Sequence, residues 1–357
     1  MDKRIQEVAK TLVDYSIGVK KGEYIIVSGE ISALPLIKEI YRLIIRRGAF
    51  PKLNLSFPGQ NYIYYKNASK EQLNHFPDIA FYEVKKAQGY IGIMSPRNTR
   101  ELSNTNPKNI AMRARVMDPI SHYIVNTKKK IRRCSTLFPT EALAQEADMS
   151  LEEYEDFVYG AMLQDWKKLG KHMRRVKNVL DKATKIRIVG EDTDLEIGVK
   201  NRPFIVDEGR ENYPGGEIFN APLEYETEGR VHFTYPAIRA GREVDNIVVE
   251  FKKGKVVKAT ADKNEKFLHA MLNTDKGSKY LGELGIGFNP KVNRFTKELL
   301  FDEKMGGTIH LAFGMAYTEG GGTNKSALHW DIVKDLRKNG KIIADDRVVQ
   351  RNGKWLI

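Results

Sequence analysis

Tyr24-Ile25-Ile26-Val27-Ser28, with residues 33–47 behind it, decides the fold of the first half of the chain. The first run is apolar, rich in β-branched residues and of strand length. In the second, Leu36, Ile40, Leu43 and Ile44 recur at helical spacing. Working outward, residues 52–57 and 90–94 read as a second and third strand, and Arg132–Leu137 as a fourth. Strands alternating with helices predict a mainly parallel sheet with covered faces, an α/β arrangement. One long helix is predicted to follow, from an N-cap at Ser150, with Glu152 and Glu153 in the first turn, to about Lys182. Its apolar stripe comprises Tyr154, Phe157, Val158, Ala161, Leu169, Met173, Val176 and Leu180.

Beyond Thr184 the texture changes. Residues 185–189 and 194–199 are strand-like, and residues 246–251 and 255–260 form a predicted hairpin across Lys252-Lys253-Gly254. The expected division is therefore residues 1–184, an N-terminal α/β domain ending in the long helix, and residues 185–357, a C-terminal α+β domain. Two domains suit a chain of 357 residues, which exceeds what one hydrophobic core serves.

Composition excludes several classes. The chain is 41% hydrophobic and 29% charged, with no apolar run near the roughly 18 residues that span a bilayer. The N-terminus mixes acids and bases in an amphipathic pattern, unlike a signal peptide. One cysteine, Cys134, permits no internal disulfide, and a cytoplasmic location is expected. The net charge of +13 would suit a polyanion binder. Its basic residues are dispersed, however: Lys128, Lys129, Lys130, Arg132 and Arg133, then Lys167, Lys168, Lys171, Arg174 and Arg175. Neither zinc-finger spacing nor interleaved aromatics accompany them, which disfavours nucleic acid as a partner.

The chain lacks a Gly-x-Ser-x-Gly elbow, a His-Glu-x-x-His helix, a phosphate-cradling loop and a Cys-x-x-Cys pair. What it has instead lies after residue 210. Pro214-Gly215-Gly216 presents Glu217 ahead of an apolar pair. Glu283 is framed by Leu281-Gly282 and Leu284-Gly285, where a charge is costly unless paired or metal-bound. Asp302 and Glu303 precede His310, itself flanked by aliphatic residues. His329 and Asp331, two apart on a strand, point to one face. Each alone has a plain alternative: a turn acid, a buried ion pair, a core histidine, a chance pair. Together they form an oxygen-and-imidazole set of the size that two divalent ions need. Such a set suits Zn, Co or Mn, with a carboxylate shared between ions about 3.5–4 Å apart. Read on residues alone, this reaches a metallohydrolase and stops there.

At these motifs the chain resembles the aminopeptidase T, AmpS and PepS family of metallo-aminopeptidases. The resemblance also covers Phe138-Pro139-Thr140-Glu141-Ala142 and Met149-Ser150-Leu151-Glu152-Glu153-Tyr154. It implies that Glu217, Glu283, Glu303, His310, His329 and Asp331 hold two divalent ions, with Glu283 shared, and that Tyr317 is the active-site tyrosine. Glu283 or Glu303 would take a proton from the attacking water, while Tyr317 donates to the oxyanion. The family's substrates are peptides with a free N-terminus, and its members form homodimers of an α/β domain and a C-terminal metal-binding domain. Two spacings depart from it: Glu303 to His310 is longer than in some members, and Tyr317 to His329 is short. An iron-dependent dioxygenase that opens hydroxylated pyridine rings shares the resemblance and is the first alternative. A basic polyanion-binding protein without chemistry is the second.

Overall fold

The computed structural model describes residues 2–126, 131–239 and 241–357. Lys128, Lys129 and Lys130 of the basic run therefore lie outside the described residues. The chain forms two compact units, Met1–Leu163 with Gly209–Pro214, and Gln164–Glu208 with Gly215–Ile357.

The first unit is built on a parallel sheet. The predicted strands appear as Tyr24–Glu30, Phe50–Ser56, Gly89–Met94 and Arg132–Leu137. Tyr24–Glu30 lies between Phe50–Ser56 and Gly89–Met94, and Arg132–Leu137 extends the sheet on the far side of the latter. The short pair Asn212–Tyr213 adds a fifth parallel strand at that edge. Ile25, Ile26 and Val27 are all buried, as a strand covered on both faces requires. The helix Leu34–Arg46 buries Leu36, Ile37, Ile40 and Ile44; of the stripe read from the sequence Leu43 is only partly buried, and Ile37 joins the buried face.

The single long helix is in fact two. Leu151–Met162 has the Ser150 cap, in a box with Glu153. It stops at Leu163, and Trp166–Leu180 starts afresh with Asp165 as N-cap, its side chain accepting from Lys168 N at 3.0 Å. The apolar stripe continues across the break because both helices bury the same kind of face. The two helices belong to different units, so the chain divides at Leu163–Gln164 instead of near residue 184.

The second unit is antiparallel. The strands expected at 185–189 and 194–199 are Lys185–Gly190 and Thr193–Gly198, and the hairpin is Val248–Lys252 with Lys255–Thr260. They belong to an eight-stranded sheet. A second sheet of five strands runs His329–Asp335, Thr308–Gly314, Leu281–Gly287, Glu217–Asn220 and Ile205–Asp207. One core joins the unit, with Ile186, Leu195 and Val249 from the larger sheet, Leu284, Leu311 and Ile332 from the smaller, and Met173 and Val176 from the Trp166–Leu180 helix. The smaller sheet carries Glu217, Glu283, His310, His329 and Asp331, while Asp302 and Glu303 lie outside it.

Candidate metal centre

Strand register brings these side chains to one face. Gly287 pairs with Glu217, Gly285 with His310, Glu283 with Ala312, and Ala312 with Asp331. Residues opposite each other on neighbouring strands share a face, as do residues two apart on one strand. Glu217, Glu283, His310, His329 and Asp331 therefore converge on the same side, despite being scattered over more than a hundred positions. Two glycines make the room. A Cβ at Gly285 would sit 1.9 Å from His310 Nε2, and one at Gly287 would sit 2.0 Å from the Met305 carbonyl oxygen. The bare backbone at 285 is the slot for the imidazole, and at 287 it admits the segment that carries Glu303 and Lys304.

His310 Nε2 lies 3.2 Å from Glu283 Oε1 and 3.4 Å from Glu217 Oε2. His329 Nε2 lies 3.6 Å from the other Glu283 oxygen and 3.4 Å from Asp331 Oδ2. Three groupings place their ligand atoms within 4.8 Å of one another: Glu217, Glu283 and His310; Glu283, His329 and Asp331; Glu303, His310 and Asp331. Glu303 follows the short helix Leu299–Asp302. His329 Nδ1 donates to the Met315 carbonyl at 2.8 Å, which turns the lone pair of Nε2 toward the acids. The Tyr317 ring stands 5.0 Å from the His329 ring and 6.2 Å from that of Phe219.

The protonation of these groups shows how crowded the acids are. Burial pushes Glu217 up to about 8, against the pull of Lys304, and neighbouring Glu303 and Glu283 add to the rise. Burial opposes a charged ring at His310, but the hydrogen bond it donates to Glu283 and the charges of Glu217 and Glu283 outweigh it and lift the imidazole to about 9. His329 is also raised: burial again opposes charge, and Asp331 and Glu283 overcome it. Glu217 Oε2, Asp331 Oδ1 and His310 Nδ1 are buried without a hydrogen-bond partner. Unsatisfied carboxylate oxygens beside imidazole nitrogens are a donor set that fits a metal ion.

Two contributors were not singled out in the sequence. Lys304 is fully buried, its Nζ donating to Glu217 Oε1 at 2.8 Å and to Glu303 Oε1. Asp207, paired across the sheet with Glu217, has Oδ2 4.0 Å from the same ammonium. The available signals were an acid ending the apolar run Phe204-Ile205-Val206 and a lysine directly after Glu303. Beside the cluster, a cavity of about 210 Å³ is bounded by Asp331 and Val333, with Ile238, Phe295 and Leu299 among its walls.

The acids and histidines of the three groupings all lie in the second unit, five of them on its smaller antiparallel sheet. The thermophilic metalloprotease (M29) family model matches residues 1–355, and the chain belongs to that family. It is thus a peptide-bond hydrolase with a metal cofactor. Aminopeptidase 2 of Geobacillus stearothermophilus is 24% identical over an alignment of 418 residues that takes in 99% of this chain and 98% of its own. The structure of wild-type AmpT from Thermus thermophilus matches with a TM-score of 0.86 at 21% identity, over 99% of both chains. A 2,5-dihydroxypyridine dioxygenase from Pseudomonas putida KT2440 matches with a TM-score of 0.63 at 14% identity, over 99% of this chain and 96% of that one. At these identities the two structures speak to the fold. No helix among the described residues is long and apolar enough to cross a membrane.

Proposed function

We propose that this protein is an aminopeptidase, removing the first residue from peptides with a free N-terminus, and that it works with two divalent ions of Zn, Co or Mn. The observation that carries the reading is the division of Glu283 between two groupings, one oxygen toward His310 and the other toward His329. Glu217, Glu283 and His310 would hold one ion, and Glu283, His329 and Asp331 the other, with Glu303 completing the set. Bound there, the ions supply acidity to water and polarise the scissile carbonyl.

The chain's own groups do the rest. A carboxylate oxygen of Glu283 or Glu303 accepts the proton of the attacking water and later returns it to the departing amine. The Tyr317 hydroxyl donates to the oxyanion that forms on the carbonyl. An acid of the cluster engages the substrate's α-amine, which confines cleavage to the N-terminal bond. The cavity beside Asp331 receives the side chain of that first residue. A homodimer in the cytoplasm completes the reading; light scattering on the purified protein tests the first part.

The activity itself is tested with a leucyl peptide and its N-acetylated counterpart, on protein stripped with chelator and resupplied with Co, Zn or Mn. Leucine should be released from the free peptide alone, only with metal. No release under any metal would discard the reading in favour of iron-dependent ring cleavage, assayed with Fe(II) and a dihydroxypyridine. The three glutamates weigh against that alternative, because a single iron needs no more than two histidines and one carboxylate.

A further inference from the structure

Lys304 takes no part in the metal reading, and it is among the largest fully buried side chains of the protein. An ammonium without exposed surface cannot meet substrate, so its work is done on its neighbours. It divides the oxygens of Glu217: Oε1 accepts from Lys304 Nζ at 2.8 Å, while Oε2 is left facing His310 at 3.4 Å. Glu303 Oε1 is held by the same nitrogen, and Asp207, 3% exposed, lies 4.0 Å from it. Asp207, Glu217, Glu283, Glu303 and Asp331 bring five carboxylates into this small volume, and Lys304 cancels one of their charges. With all five ionised, the four that remain match the charge of two divalent ions.

We propose that Lys304 is a built-in third cation, a positioning residue that lets the protein fold with its metal sites empty and keeps Glu217 and Glu303 turned so that each offers one free oxygen to an incoming ion. Deleting one partner of a buried ion pair leaves the other charges uncompensated, a heavy loss. Here that loss falls unequally. With metal absent, Lys304 is the closest cation to Glu217 and Glu303. With metal present, the ions take over most of the neutralisation. The fixed cation therefore matters most to the empty protein.

The inference rests on the metal-site reading, and thermal melting separates the two. Wild type and Lys304→Met are melted after chelation and again with Zn or Mn restored, with metal content measured in parallel. The metal-free variant should melt about 10 °C below metal-free wild type, while the loaded pair stay within a few degrees, so the metal-induced rise is larger in the variant. Should Lys304→Met not fold without metal, refolding with metal should rescue it. In either case Lys304→Met combined with Asp207→Asn, which removes one excess negative charge, should recover part of the metal-free loss. Equal drops in the empty and loaded states, or a variant that metal does not rescue, would reduce Lys304 to an ordinary buried ion pair and overturn the proposal. Absence of metal uptake by wild type itself would instead strike the reading of the centre on which the proposal stands.

Discussion

The two oxygens of Glu283 lie 3.2 Å from His310 Nε2 and 3.6 Å from His329 Nε2, so one side chain serves both ligand groupings. Glu283→Gln should lower bound metal from two ions per chain toward one or none. It should also lower kcat/KM on the order of 1000-fold, the several kcal/mol that such sites supply, as read by metal analysis and steady-state kinetics. Tyr317→Phe is expected to behave differently. It keeps the ring beside His329 but loses the donor, so kcat should fall about 100-fold with metal content unchanged. At this scale much was legible in the sequence. His329 and Asp331 are two apart on a strand, and an acid framed by Leu281-Gly282 and Leu284-Gly285 is conspicuous. Asp207 and Lys304 were not legible, because their meaning comes from pairing across strands. Asp207 faces Glu217 through register, and Lys304 reaches Glu217 from 87 positions away.

Among the elements, the Leu281–Gly287 strand matters most to the centre: its seven residues are all buried, and its glycines are cut to fit what lies over them. Gly285→Ala would drive a methyl group into the His310 ring. The expected cost is about 1–3 kcal/mol of stability, as for other overpacked cores, together with lost metal binding; a melt and a metal analysis of one preparation check both. The segment after Tyr317 is pinned differently. Asp275 accepts from Ala327 N at 2.7 Å and from the Ser326 hydroxyl at 2.8 Å, as well as from Gly277 N and Ser278 N. Burial would raise this carboxyl, but the hydrogen bonds from Ala327, Ser326 and Ser278 outweigh it and hold it below the ordinary value. A depressed folded value means the unfolded chain binds the proton more readily. The stabilisation is thus present above about pH 4 and is lost as pH falls through the folded value. Asp275→Ala should cost about 1–2 kcal/mol near neutrality and progressively less in acid, measured by denaturation across pH. Of the elements themselves, the strands Tyr24–Glu30 and Gly89–Met94 could be read because each contains a short apolar run of strand length. The break at Leu163–Asp165 could not be read from periodicity, since an N-cap at Asp165 restarts a helix without disturbing the stripe.

Over the whole molecule, chemistry and scaffold separate. The first unit has the composition of a covered parallel sheet, and every proposed ligand lies in the second. The charge of +13 gave no guide to function, because the centre is acidic and buried while the basic residues are spread along the chain. Metal should stabilise the folded state by mass action, about 4 kcal/mol at a thousandfold excess over its Kd, so chelation should lower Tm by several degrees and metal should restore it. The central claim is that the acids and histidines after residue 210 form a two-ion peptidase centre. Its most direct test is to titrate chelator-stripped protein with Zn, Co or Mn while following leucine release from a free leucyl peptide. Release should be absent at the start and saturate at two equivalents per chain. Release that ignores chelation, or that saturates at one equivalent, would contradict it.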